Sequence, residues 1–183
     1  MGIVSELKKD YEIREEWVGF EIHPETPAEG VSLTERFGAD NFKANMQRLA
    51  DTGEKYGIEF GELKLMPNSH NALQAAEYAR SAGKFDEYHR RLMDAYFRDG
   101  RNIGNIEVLV DIGRSVGLDQ GNLSDVIKTR KYEALLKDNL GLAKDLGISS
   151  TPTFVVNNEY AIVGAQSIDV FRSLFDDIKN RVK

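Results

Sequence analysis

Few residues in this 183-residue chain are of a type and spacing that could do chemistry. The sharpest is Thr151-Pro152, which opens the apolar run TFVV inside GISSTPTFVVNNEYAIVGAQ, residues 147 to 166. A proline gives a sheet ladder no N–H, so it belongs at a strand's first residue or on an edge. The chain has no cysteine, which excludes disulfides, thiolate metal sites and a cysteine nucleophile. Its three histidines are His23, His70 and His89. None has a second histidine, cysteine or carboxylate at a spacing typical of a metal site, so they read as loop or surface residues and no metal is expected. Glycine-rich phosphate loops, paired catalytic carboxylates and a Ser-His-Asp arrangement are absent as motifs. Tyr88, Tyr96 and Phe97 read as packing residues.

The background is that of an ordinary globular protein, with 41% hydrophobic and 30% charged residues. The formal net charge is −6, and basic residues come only in small groups such as Arg90-Arg91 and Lys128 to Lys131, so nucleic acid is not an expected partner. No apolar run reaches bilayer length and no signal-like segment opens the sequence, so a membrane is not expected and the cytoplasm is the expected location.

Several elements must position that loop. GIVSELKK, residues 2 to 9, reads as the tail of a short helix. Residues 13 to 22 read as a strand, with Val18, Phe20 and Ile22 alternating onto one face. From about 40 to 147 the period is helical, with stops at Gly57, Gly83, Gly100 and Gly117 and an N-cap at Asn105. The stretch from Asn122 to Leu146 holds one broken helix or two consecutive ones. After Gly147 the period alternates. TFVV and YAIV, joined at Asn157-Asn158, predict a hairpin, because asparagine tolerates the positive φ of a tight turn. Ser167 then starts an amphipathic helix with Ile168, Phe171, Leu174, Phe175 and Ile178 inward. The order predicts an α/β fold: residues 1–38 and 148–183 form a sheet-bearing domain, and 39–147 an all-helical insertion.

Three stretches, FEIHPETPAEG, PNSHNALQAAEYARSAGKFDEYHRRLMDAYFRDGRNIG and the hairpin segment, together resemble the DsbA-like branch of the thioredoxin fold. The similarity is greatest to its FrnE-like group, a neighbour of the 2-hydroxychromene-2-carboxylate isomerases and kappa glutathione transferases. It implies a thioredoxin-like sheet with a helical insertion and a family activity of dithiol–disulfide exchange. Pro152 then corresponds to the family's cis-proline, leaving the backbone of Thr151 to pair with a bound peptide or thiol. Gly164, Ala165, Gln166 and Asn68 complete the substrate-binding set. The family would have Asn68 position the helical lid; the residues alone read it equally as a cap for the helix starting near Ser69.

The departure from the family is as informative. The resemblance implies a first strand ending in CxxC ahead of the first helix, roughly fifteen to twenty residues that the chain does not show. No catalytic residue carries over, and the chain as written is expected to be redox-inert. Without that strand the sheet would carry unpaired edges, so strand borrowing and a homodimer are expected. Two rival readings stand beside this one. The first is a glutathione-dependent isomerase or transferase, for which glutathione would be the cofactor; those relatives tend to carry Gly-x-Asp-Arg where this chain has Gly164-Ala165-Gln166-Ser167. The second is a non-catalytic peptide-binding module. Otherwise no cofactor is expected.

Overall fold

The computed structural model describes residues 2–181. The chain divides into two compact units, one from residues up to Val18 together with those from Leu142, the other from Gly19 to Gly141.

In the first unit, helix α1 (Gly2–Leu7) buries Ile3, Val4 and Leu7 and packs against helix α9 (Ile168–Arg181). Strands β3 (Thr153–Val156) and β4 (Tyr160–Val163) form the expected antiparallel hairpin, with Thr153 opposite Val163 and Val156 opposite Tyr160. Asn157 and Asn158 sit at φ 53° and 57°, the left-handed conformation that asparagine tolerates better than most residues. One face of the hairpin is covered: Ile162 is buried and Phe154 meets Phe171 of α9 edge to face at 5.0 Å. The opposite face is not, with Val155 42% and Val163 55% exposed. Tyr11 closes α1 onto α9, stacking on Phe175 at 5.1 Å and donating to Asp176 at 2.8 Å. That acceptor holds on to the phenol's proton and raises the Tyr11 pKa.

The second unit is almost all helix. Its segments are α2 (Leu33–Phe37), α3 (Ala39–Glu54), α4 (His70–Ser81), α5 (Phe85–Met93), α6 (Ile106–Ser115), α7 (Gln120–Thr129) and α8 (Glu133–Asp145), which runs on past its end. Two-residue strands β1 (Val31–Ser32) and β2 (Leu65–Met66) pair antiparallel. The core is drawn from α4 to α7 and includes Ala75, Ala79, Tyr88, Leu109 and Leu123. Alanines on α4 let the neighbouring helices approach closely. Tyr88 is fully buried, and its hydroxyl donates to the Leu109 carbonyl at 3.2 Å, as a buried phenol requires. Burial pushes its pKa far up. Tyr96 donates to the Leu65 carbonyl at 3.1 Å and meets Phe97 edge to face, so these aromatics are packing residues as expected. Asn105 caps α6 by accepting from the Glu107 N–H at 2.8 Å. The helical stretch after residue 122 is two helices, not one.

One expected element fails. Residues 13–22 are not a strand, and Val18 is 49% exposed rather than turned into a core. The physical reason is pairing: a strand exists through its ladder, and among the described residues no strand pairs with this segment. The sheets that do form have two strands each.

Candidate functional site

Five of the six expected site residues gather at one end of the hairpin. Thr151-Pro152 is a cis peptide, as the resemblance implied, and both residues are exposed. The Pro152 carbonyl accepts from the Gly164 N–H at 2.8 Å, extending the ladder by one pair, and Gly164 takes φ +80° to make that approach. Thr153 Oγ1 donates back to the Ser150 carbonyl at 2.8 Å. Gln166 is spent on the loop itself, since its Nε2 donates to the Val163 carbonyl at 2.8 Å; Ala165 beside it is exposed.

The ladder decides which backbone groups this end can offer. Backbone groups in an antiparallel pair alternate between the partner strand and the outside. The bond at Pro152 therefore turns Pro152, Phe154 and Val156 toward β4. Thr153 and Val155 point their N–H and C=O groups outward, where no strand lies among the described residues, and Thr151 precedes them in the bend before the cis peptide. Chemically this is a strip of alternating donors and acceptors suited to an extended chain.

Asn68 lies in the helical unit, in a different setting. Its Nδ2 donates to the Thr26 carbonyl at 2.6 Å, and its Oδ1 accepts from the N–H of His70, the first residue of α4, at 2.9 Å. Asn68 thus holds the N–H of the first residue of α4 from one position before the helix's N-cap, Ser69. It also lines a cavity of about 340 Å³ with Glu21, His70, Asn71, Arg130 and Glu133. His70 stands between two carboxylates, Nδ1 3.3 Å from Glu21 Oε1 and Nε2 3.1 Å from Glu133 Oε2. Burial pulls the Glu133 carboxyl upward, but the hydrogen bond from Lys137 and the charges of His70 and Lys137 outweigh it and hold the pKa below the ordinary value. Behind the ring, Gln74 is fully buried, and its Oε1 accepts from the Tyr132 N–H at 2.8 Å.

The DSBA-like thioredoxin domain family matches residues 3–176. The chain belongs to that family. This DSBA-like chain is similar to the uncharacterized protein YwbO of Bacillus subtilis (strain 168), 27% identical over 176 residues, covering 94% of the chain and 86% of YwbO. Its fold is similar to that of a probable DsbA oxidoreductase of Streptomyces coelicolor, with a TM-score of 0.77, 20% identity, and coverage of 85% of the chain and 70% of the other protein. The thioredoxin-like α/β assignment with a helical insertion therefore stands.

The histidines of the DSBA-like chain need correction. His23 is in an exposed loop beside Arg36 and Glu25, as expected. His70 and His89 are not surface residues: His70 lines the cavity, and His89 is buried with its ring stacked on Phe85. Sequence spacing missed His70 because its two carboxylates lie far away along the chain and meet it only through folding. The one available signal was its place next to the cap, directly after Asn68-Ser69. Among the described residues no trio of His, Cys, Asp or Glu could hold a metal ion, and no helix is long and apolar enough to cross a membrane.

Proposed function

We propose that this is a FrnE-like member of the family that binds an extended peptide, or a thiol-bearing partner, along the outer edge of β3 beside Thr151-Pro152, and that carries out no thiol–disulfide exchange itself. One observation carries the reading: the outward backbone groups of Thr153 and Val155 have no partner strand among the described residues. An added strand would supply acceptors for the N–H groups and donors for the carbonyls, the pairing that gives such recognition its affinity. The exposed Val155 side chain would lie beside side chains of the bound chain on the same face. Exchange would need an attacking thiolate, and the chain has no sulfur nucleophile to provide one. A second copy could present its own edge to the same strip, so in the cytoplasmic homodimer this reading expects, a bound peptide competes with the partner copy for that edge.

The test has two arms on the purified chain. A fluorescent, cysteine-free, valine-rich peptide should give saturable anisotropy while insulin reduction stays at the buffer rate. Absence of peptide binding into the millimolar range, or insulin reduction with contaminating reductases excluded, contradicts the proposal. Light scattering reads the oligomer separately: twice the chain mass is expected, and a monomer at high concentration removes the dimer.

A further inference from the structure

We infer that the groove beside α3 in the helical unit binds a free medium-chain fatty acid, its alkyl chain against Phe42 and Met46 and its carboxylate at Lys43. This goes beyond the strand-edge reading and does not depend on it.

The first observation is an apolar stripe without cover. Phe42, Met46, Leu49, Ala50 and Gly53 recur along one face of α3 at helical spacing, the stripe that an amphipathic helix turns toward a core. Only Gly53 is buried; Phe42 and Met46 are half-buried and Leu49 is 41% exposed. The helix is held at its two ends instead. Its start packs against α2, and near its finish Gly53 lies so close to Phe60 that a Cβ would come within 2.6 Å of the ring.

The second observation is the space this leaves. Between α3 and residues 61–64, which lead into β2, runs an open groove of about 560 Å³, within the range of small-molecule sites. Phe42 and Met46 line it from the helix and Leu63 from the opposite wall. That wall is fixed at both ends. The Gly61 N–H donates at 2.8 Å to the Phe97 carbonyl in the π-helical turn Asp94–Arg98, and the Lys64 carbonyl accepts from the Leu33 N–H at 3.0 Å. Those groups are spent, so an extended peptide would find few backbone partners there. A docked helix, 10–12 Å across, would fill roughly 1,000 Å³ with two turns alone, about twice the space. A slim unbranched alkyl chain needs neither the partners nor the room.

The third observation is charge. Three charged side chains line the groove, and Lys64 pairs with Glu62 at 3.3 Å. Lys43 makes no hydrogen bond or ion pair among the described residues. An unspent cation on an apolar groove selects an amphiphile with an anionic head. A single carboxylate matches that one lysine, whereas a phosphate would bring a second negative charge close to Glu62.

Calorimetry on the full chain at low salt uses decanoate and octanoate, with 1-decanol as the uncharged and decyltrimethylammonium as the cationic analogue. Decanoate should bind saturably, and octanoate should be weaker by about fivefold to fifteenfold, the worth of two buried methylenes. Decyltrimethylammonium should be weaker than decanoate by about threefold or more, since it meets a lysine where the acid makes an exposed ion pair. Lys43→Glu should weaken decanoate by a similar factor and leave decanol unchanged. Met46→Glu puts a charge into the apolar groove and should weaken decanoate and decanol alike by about tenfold or more; thermal unfolding checks that both variants stay folded. No saturable decanoate binding into the millimolar range, equal affinity for octanoate and decanoate, or decyltrimethylammonium as tight as decanoate each overturns the inference. So does parent-like decanoate binding by a folded Lys43→Glu or Met46→Glu.

Discussion

Replacing Gln74 by leucine removes a side chain that ties α4 to the backbone of the turn before α8. Gln74 is fully buried, and its Oε1 is the acceptor for the Tyr132 N–H at 2.8 Å. Leucine has nearly the same volume, so no cavity opens, but the Tyr132 amide is left without an acceptor. A buried donor orphaned in this way costs about 1–3 kcal/mol, and leucine recovers part of that because it no longer buries an amide. The expected net loss is about 1–2 kcal/mol, centred on residues 130–133. Urea unfolding reads the global loss, and amide hydrogen exchange reads the local one. Since about 1.4 kcal/mol is a factor of ten in an equilibrium, the Tyr132 amide should exchange roughly ten to thirty times faster in Gln74→Leu. The Leu109 amide, at the centre of the same core, should follow only the global change. Unchanged stability together with unchanged Tyr132 exchange would refute the claim that Gln74 holds this turn.

Gly61→Ala is expected to be among the costlier glycine substitutions. A Cβ there would lie 1.9 Å from the Arg98 carbonyl oxygen and 2.9 Å from its carbon, in the π-helical turn Asp94–Arg98, and backbone cannot swing away as a side chain could. Thermal unfolding followed by circular dichroism should show a loss of about 1–3 kcal/mol or more, and parent-like stability would contradict the packing. The pH dependence follows from Glu133. Its pKa is lower folded than unfolded, so its stabilising share is present above the ordinary glutamate range and is lost as pH falls through the folded value. Urea midpoints measured downward from neutral pH should fall more steeply in the parent than in Glu133→Gln, and identical slopes would count against the His70–Glu133–Lys137 arrangement.

What the sequence made legible is what local chemistry dictates. Asn157-Asn158 announced the hairpin because asparagine takes the positive φ the turn shows. Asn105 announced the start of α6 because its carboxamide can reach the Glu107 N–H. Gly83 and Gly117 marked helix ends for the same local reason, and both take positive φ. The strand expected at 13–22 failed because strand character belongs to a pair of segments, and alternation in one of them cannot supply the other. The cavity was illegible for a related reason. Glu21, His70 and Glu133 come from a loop and two helices far apart in sequence, and no spacing rule joins them. Arg130 hid best: the break in the 122–146 stretch was open to either reading, and an arginine gives no sign that it stands where glycine would.

The central claim is that the outer edge of β3 recognises an extended chain, and Val155→Pro tests it most directly. The Val155 N–H points away from β4, so proline there removes an outward donor without removing a hairpin bond. Val155 is also 42% exposed, so little packing is lost. The measurement is the anisotropy affinity of the cysteine-free peptide for the parent and for Val155→Pro, with thermal unfolding of both. Unfolding temperatures should lie within a few degrees of each other, and peptide affinity should weaken by about fivefold to tenfold, the net worth of one hydrogen bond. A folded Val155→Pro that binds the peptide as tightly as the parent would contradict it.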